Sequence, residues 1–171
     1  MRYDLIIFDF DGTLADSFPF FVDAQDALAR KHRFRTIAKH EVDALRHLSP
    51  RELMRHVGLA RWRLPLVTRD FIRHMHAHGH AVRMFDGVAS ALQRLYDDGA
   101  RLALVTSNRR DNCRRILGED GVARFAHVEC GASIFGKRRR LRRVLAAAGV
   151  GAGRAIYVGD MTPDAEAARD V

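Results

Sequence analysis

Residues 4–14 read Asp4-Leu5-Ile6-Ile7-Phe8-Asp9-Phe10-Asp11-Gly12-Thr13-Leu14. A nearly unbroken apolar run that ends in an acid-x-acid-glycine string is the pattern of a strand buried on both faces of a parallel sheet. The strand is expected over Asp4 to Phe10. Side chains two apart in a strand share a face, so Asp9 and Asp11 can aim at one site. Gly12 lets the chain turn sharply out of the strand. In open parallel sheets ligands bind beyond the carboxyl ends of the strands, where this string lies.

Three further β-rich segments follow, Arg101 to Thr106, Ala126 to Glu129 and Arg154 to Val158. The second and fourth of the four segments are apolar runs like the first and are expected to be buried on both faces. Between them, Val88 to Tyr96 carries apolar residues at helical spacing and stops at Asp97-Asp98-Gly99; Arg138 to Ala148 does the same and stops at Gly149. Alternating strands and helices define an α/β protein with a Rossmann-like, doubly wound parallel sheet. From Ser17 to Val82 the alternation lapses. No strand pattern occurs there, and helices are expected from Asp16 or Ser17 with Pro19 in the first turn, then over Thr36–Leu48, Pro50–Val57 and Leu66–His78. The core resumes at Met84-Phe85-Asp86-Gly87. The expected organisation is a core of residues 1–16 and 83–171 with a small all-helical insert, 17–82.

Each strand end carries polar chemistry. Two carboxylates after the first strand can divide the work of nucleophile and general acid/base, with a cation screening their repulsion. The second strand ends in Thr106-Ser107-Asn108, a hydroxyl and free N–H groups placed to bind phosphate oxygens, although Ser and Asn also cap helices. Lys137, after the third strand, can set a positive charge on the same phosphate, or be no more than the start of the solvated helix Arg138-Arg139-Arg140. The fourth strand ends in Gly159-Asp160-Met161-Thr162-Pro163-Asp164. Its two carboxylates fit a magnesium site of hard oxygen donors, or else a turn and a helix N-terminus.

Taken together, in this order and at these places, the four motifs resemble those of the haloacid dehalogenase superfamily, and within it the phosphoglycolate-phosphatase-like branch. The resemblance implies a magnesium-dependent phosphatase that hydrolyses a small-molecule phosphate monoester through an aspartyl-phosphate intermediate. It makes Asp9 the nucleophile and Asp11 the acid that protonates the leaving oxygen and then activates water. It assigns Thr106 and Lys137 to hold the transferring phosphoryl group, with Gly12, Ser107 and Asn108 beside them as phosphate contacts. It assigns Mg2+ to Asp9, Asp160, Asp164 and the backbone carbonyl of Asp11. The presence of Asp11 favours phosphate esters over 2-haloacids, because a halide leaving group needs no acid. The insert resembles the family's helical cap, in which Arg51, Arg55, Arg61, Trp62 and Arg63 are conceivable substrate contacts. The chain stops at Arg169-Asp170-Val171, where family members usually continue, and it is expected to be truncated after the fourth core strand. Two alternatives remain open: a phosphoglucomutase-type phosphotransferase, and a truncated non-catalytic binding member.

Composition narrows the rest. With 47% apolar and 29% charged residues, the 171-residue chain is globular. Its net charge of +8 is spread as arginine along the chain, without the basic stripe and interleaved aromatics of a nucleic-acid binder. No apolar run approaches the ~20 residues needed to span a bilayer, and the N-terminus lacks signal-peptide character. A cytoplasmic protein acting on a small phosphate ester, with no nucleic-acid or membrane partner, is the reading. Cys113 and Cys130 share no metal spacing, and Cys130 is read as a packed thiol. His74 and His78 share a helix face at i, i+4, without supporting ligands for a metal.

Overall fold

The computed structural model describes residues 3–45, 50–131 and 136–171. Its sheet has four parallel strands, β1 Leu5–Phe8, β2 Arg101–Val105, β3 Phe125–Glu129 and β4 Ala155–Val158, in the order β3-β2-β1-β4. β1 is therefore central, with Phe8 in register with Leu104 on one side and Val158 on the other. The chain leaves β1 with the ladder still running, as the Asp9 N–H donates to the Val158 carbonyl at 2.8 Å. All four strands end on the same edge of the sheet, as the motif order requires.

The helices are α1 Phe18–His32, α2 Val42–Leu45, α3 Pro50–His56, α4 Leu64–His78, α5 Val88–Asp97, α6 Arg110–Ala123, α7 Lys137–Ala148 and α8 Thr162–Arg169, with short 3₁₀ turns among them. Chain contacts divide the protein into two units, Met1–Asp16 with Val82–Val171, and Ser17–Ala81. In the first, α7 shows why its pattern folds as it does. Leu141, Val144 and Leu145 recur at i, i+3 and i+4 and pack on Leu5, Ile7, Ala103, Val105 and Val150, while the intervening arginines stay out of the core. Burying each such aliphatic side chain contributes roughly 1.5–3 kcal/mol. Where the chain leaves and re-enters this unit, two passages pair. The Asp16 N–H donates to the Arg83 carbonyl at 2.9 Å and the Phe85 N–H to that of Leu14 at 3.1 Å.

The described residues of the second unit carry helices, joined by loops, and no strand. Ile37, Met54, Val57, Leu59 and Val67 form its core. Gln25 ties Ile37 in place with both ends of its amide, at 2.6 and 2.8 Å. Buried Asp70 accepts from the His32 ring at 3.0 Å and from Lys31 at 2.8 Å.

Four differences from the expected elements have physical causes. β4 is not buried on both faces. Ala155 and Tyr157 pack on the core, while Ile156 and Val158 are 36% and 37% exposed, because β4 lies at the sheet edge, which an apolar run alone does not reveal. The expected Thr36–Leu48 helix is a 3₁₀ turn, Lys39–Glu41, followed by α2, and residues 46–48 lie outside the described residues, as does Phe135. α4 opens at Leu64, with Pro65 in its first turn, two residues before the expected start. α6 carries no expected range because it is polar and broken at Gly118.

Candidate active site

The strand ends bring four of the predicted residues, Asp9, Lys137, Asp160 and Asp164, to one place. Asp9 is the first residue past β1, 5% exposed, and Lys137 is the first residue of α7, 9% exposed. The Lys137 ammonium donates to Asp9 Oδ2 at 2.6 Å and to Asp164 Oδ1, bridging two carboxylates from opposite ends of the chain. Asp164 sits at the third position of α8, where its Oδ2 accepts the Met161 N–H at 3.1 Å. The helix-capping role and the cluster role are thus filled by one carboxylate. Tyr157 donates to Asp164 Oδ1 at 3.3 Å.

Asp9, Asp160 and Asp164 each offer an oxygen, and these oxygens lie within 4.8 Å of one another. Among the described residues this is the only group of three or more potential metal donors. Two glycines make room for it. A Cβ on Gly12, whose φ is +76°, would lie 2.2 Å from Asp160 Oδ2; one on Gly159 would lie 2.7 Å from Asp164 Cβ. Thr13 Oγ1 donates to Asp160 Oδ1 at 3.3 Å.

The electrostatics are those of crowded carboxylates. Burial, reinforced by the Asp164 charge, pushes the Asp9 carboxyl up to about 7 against the opposing pull of Lys137. Partial burial and the Asp164 charge likewise raise Asp160. Burial disfavours the Lys137 charge, but Asp9 and Asp164 together outweigh it and hold the ammonium above the ordinary lysine range. Burial and the same carboxylates raise the Tyr157 phenol. Three hard oxygen donors that repel one another so closely fit a divalent cation such as Mg2+.

Asp11 goes elsewhere. Its carboxylate is not part of the three-acid group; both its oxygens accept from Asn108 Nδ2, at 3.1 and 3.0 Å. β1 ends at Phe8; the Asp9 N–H extends the ladder to β4 by one bond, and Asp11 forms an isolated bridge with Ala15 around the turn at residues 12–14. Thr106 is fully buried at the end of β2, its Oγ1 accepting the Asn108 N–H at 2.9 Å. Ser107 is half-buried beside it. Sequence reasoning missed three residues here: Thr13, Tyr157 and Asn112. Asn112, in the first turn of α6, donates from Nδ2 to Asn108 Oδ1 at 2.7 Å, a contact that no local sequence pattern marks.

The other singled-out residues lie apart from this constellation. Cys113 is buried and Cys130 half-buried, and the two thiols hydrogen-bond each other. His74 and His78 stack with ring centroids 4.6 Å apart. Arg63 lies 4.8 Å over the exposed Trp62 ring and donates to the His32 carbonyl at 2.8 Å, within the helical unit. Arg55 and Arg61 are exposed, and the Arg51 side chain lies outside the described residues.

Comparison with known proteins places this arrangement. The family model for haloacid dehalogenase-like hydrolases matches residues 6–171. A phosphoglycolate phosphatase of Synechococcus elongatus is 36% identical over 167 residues, covering 97% of this chain and 79% of that protein. The tyrosine-protein kinase PtkA of Mycobacterium tuberculosis is 33% identical over 150 residues, covering 83% of this chain and 49% of the kinase. Among solved structures, a candidate phosphoglycolate phosphatase from Lactobacillus plantarum superposes with a TM-score of 0.78 at 20% identity, over 99% of this chain and 83% of that one. The chain belongs to the haloacid dehalogenase-like hydrolase family. Within it the chain is of the phosphoglycolate-phosphatase-like branch, an enzyme of the phosphoric monoester hydrolase class. No helix of the described residues is long and apolar enough to cross a membrane.

Proposed function

We propose that the chain is a magnesium-dependent phosphatase that hydrolyses a compact phosphate monoester, phosphoglycolate or a close analogue, through a phosphoryl group carried on Asp9. The observation that carries this reading is the meeting of Asp9, Asp160 and Asp164, the first and last bridged by Lys137, at the carboxyl end of the sheet. An Asp9 oxygen attacks phosphorus as the bond to the ester oxygen breaks, and Asp11 gives the leaving oxygen its proton. Water then yields a proton to Asp11 and attacks the aspartyl phosphate, releasing inorganic phosphate and restoring Asp9. Lys137, the Thr106 hydroxyl and the groups at Gly12, Ser107 and Asn108 hold the phosphoryl oxygens. Asp9, Asp160, Asp164 and the Asp11 carbonyl would hold Mg2+, which, when bound, supplies positive charge against the phosphoryl oxygens.

The helical unit Ser17–Ala81 takes the role of the family's substrate-selecting cap, and the protein works in the cytoplasm. The likeness to a tyrosine-protein kinase keeps phosphoryl transfer to an acceptor other than water as a second reading.

The test is hydrolysis of an aryl phosphate and of phosphoglycolate by the parent chain and Asp9→Asn, with Mg2+ and with EDTA. Turnover that needs Mg2+ and vanishes in the variant is expected. Equal turnover in both chains refutes the Asp9 mechanism. Transfer of label to a tyrosine or sugar acceptor with little phosphate release points to the second reading.

A further inference from the structure

Asn108 and Asn112 form a chain of amides that ends on Asp11. The Arg109 backbone N–H donates to Asn108 Oδ1 at 2.8 Å. A backbone N–H can only donate, so this bond fixes which end of the Asn108 amide is oxygen. Asn108 Nδ2 must then face Asp11, where it donates to both carboxylate oxygens at 3.1 and 3.0 Å. Asn112 Nδ2 donates to the same Asn108 Oδ1 at 2.7 Å, closing the amide between two donors and leaving it one orientation. Both asparagines are 0% exposed.

Asn112 is expensive to keep. Its own Oδ1 is buried without a hydrogen-bond partner among the described residues. A buried acceptor left unsatisfied is destabilising, and an aliphatic side chain of similar volume would avoid that cost. Packing therefore does not account for an asparagine at this point of α6; its donor does.

We propose that Asn112 is a positioning residue for the hydrolysis. Through the Asn108 amide it holds the Asp11 carboxyl in the orientation from which the leaving oxygen is protonated. The inference rests on the acid role given to Asp11 above and adds a residue one step behind it. Removing the Asn112 donor takes away one of the two bonds that hold the Asn108 amide and so loosens Asp11, but leaves Asp9, Lys137, Asp160 and Asp164 in place.

The consequence depends on the leaving group. An alkoxide such as that of phosphoglycolate needs the proton, whereas a nitrophenolate departs largely without it. The experiment compares kcat/KM of the full chain for phosphoglycolate and for nitrophenyl phosphate in the parent, Asn112→Leu, Asn112→Ala and Asp11→Asn. General acid catalysis contributes roughly a hundredfold or more. We expect Asp11→Asn to lose about that factor more on the alkyl ester than on the aryl ester, since only the water-activating role of Asp11 is common to both. We expect each Asn112 variant to lose about tenfold or more on the alkyl ester and less than about threefold on the aryl ester. Retained aryl turnover serves as the check of folding. Equal loss on both esters in both variants makes Asn112 a residue of the core and overturns the proposal, as does no loss on either. If Asp11→Asn itself fails to discriminate between the esters, the acid role falls and takes the Asn112 assignment with it. If Asp11→Asn discriminates and the Asn112 variants do not, only the Asn112 assignment falls.

Discussion

Gly12→Ala separates the two reasons for a glycine after the first strand. Its φ of +76° costs an L-residue about 1–2 kcal/mol. In a protein of this size each kcal/mol shifts Tm by roughly 2–4 °C, so the backbone cost alone predicts a loss of about 2–8 °C. The second reason is steric. The new Cβ would stand 2.2 Å from Asp160 Oδ2 and 2.6 Å from its Cγ. Ordinary contact is about 3.5 Å, so the carboxyl must move by about 1 Å. Magnesium demands near-ideal octahedral geometry at ~2.1 Å, so in the proposed Mg2+ site an Asp160 carboxyl displaced that far would no longer serve as a ligand. Even loss of an outer-shell partner costs about 10- to 100-fold in metal affinity, and loss of a direct ligand should cost at least as much. Gly87 supplies the control: its φ is +80°, yet nothing lies within 4 Å of a Cβ there. Thermal unfolding by circular dichroism in EDTA and in Mg2+, with a Mg2+ titration of hydrolysis, reads both effects. Both alanine variants should lose stability in EDTA, and only Gly12→Ala should require at least about tenfold more Mg2+. A parent-like Mg2+ response in Gly12→Ala, or a weakened one in Gly87→Ala, would refute the steric reasoning.

Lys137→Ala leaves Asp9 and Asp164 buried without their shared cation; in EDTA at alkaline pH it should cost about 3–5 kcal/mol in urea unfolding, and an unchanged midpoint would contradict the pairing. For Asp9 the sign of the pH dependence is fixed by its raised carboxyl: the fold binds that proton more tightly than the unfolded chain does. Its contribution is therefore full below about 4 and is lost as pH rises through about 7, by on the order of a few kcal/mol. Tm in EDTA should accordingly fall more steeply with pH in the parent than in Asp9→Asn, and equal slopes would count against it. The hydrogen bond between the cysteines, with burial, raises the Cys113 thiol, while the same bond lowers that of Cys130. Iodoacetamide followed by peptide mass spectrometry should find Cys130 alkylated first, and preferential labelling of Cys113 would reverse that order.

What the sequence made legible follows from where information is local. The Asp9–Leu14 string, the apolar runs and the Leu141-Val144-Leu145 spacing are local patterns, and each specifies its element without reference to the rest of the chain. That β1 is central while β4 is an edge with Ile156 and Val158 exposed depends on strand order, which no single run encodes. The same limit governs the site. Asp9, Lys137, Asp160 and Asp164 could be gathered on paper because parallel strands share one carboxyl edge. The pairing of Asp11 with Asn108 could not, since it depends on an amide supplied by the far end of β2. Tyr157 was passed over because its apolar neighbours made it read as one more strand residue.

The position of Lys137 is hard to explain by stability. It opens α7, where the helix dipole presents its positive end, and no acidic residue stands in that first turn. Arg138, Arg139 and Arg140 follow it directly, so the helix begins with four cations. Burial adds a further penalty on its charge. A sequence selected for folding alone would place an acid or a capping hydroxyl there. What offsets these costs is the pair of carboxylates, Asp9 from the first strand and Asp164 from the last helix, each of which would be unfavourable to bury without it. Neither the lysine nor the acids are good choices individually, and together they form a balanced unit at the sheet edge. Such mutually dependent, locally unfavourable charges are expected where a site must present negative and positive groups to a phosphoryl group in one small volume.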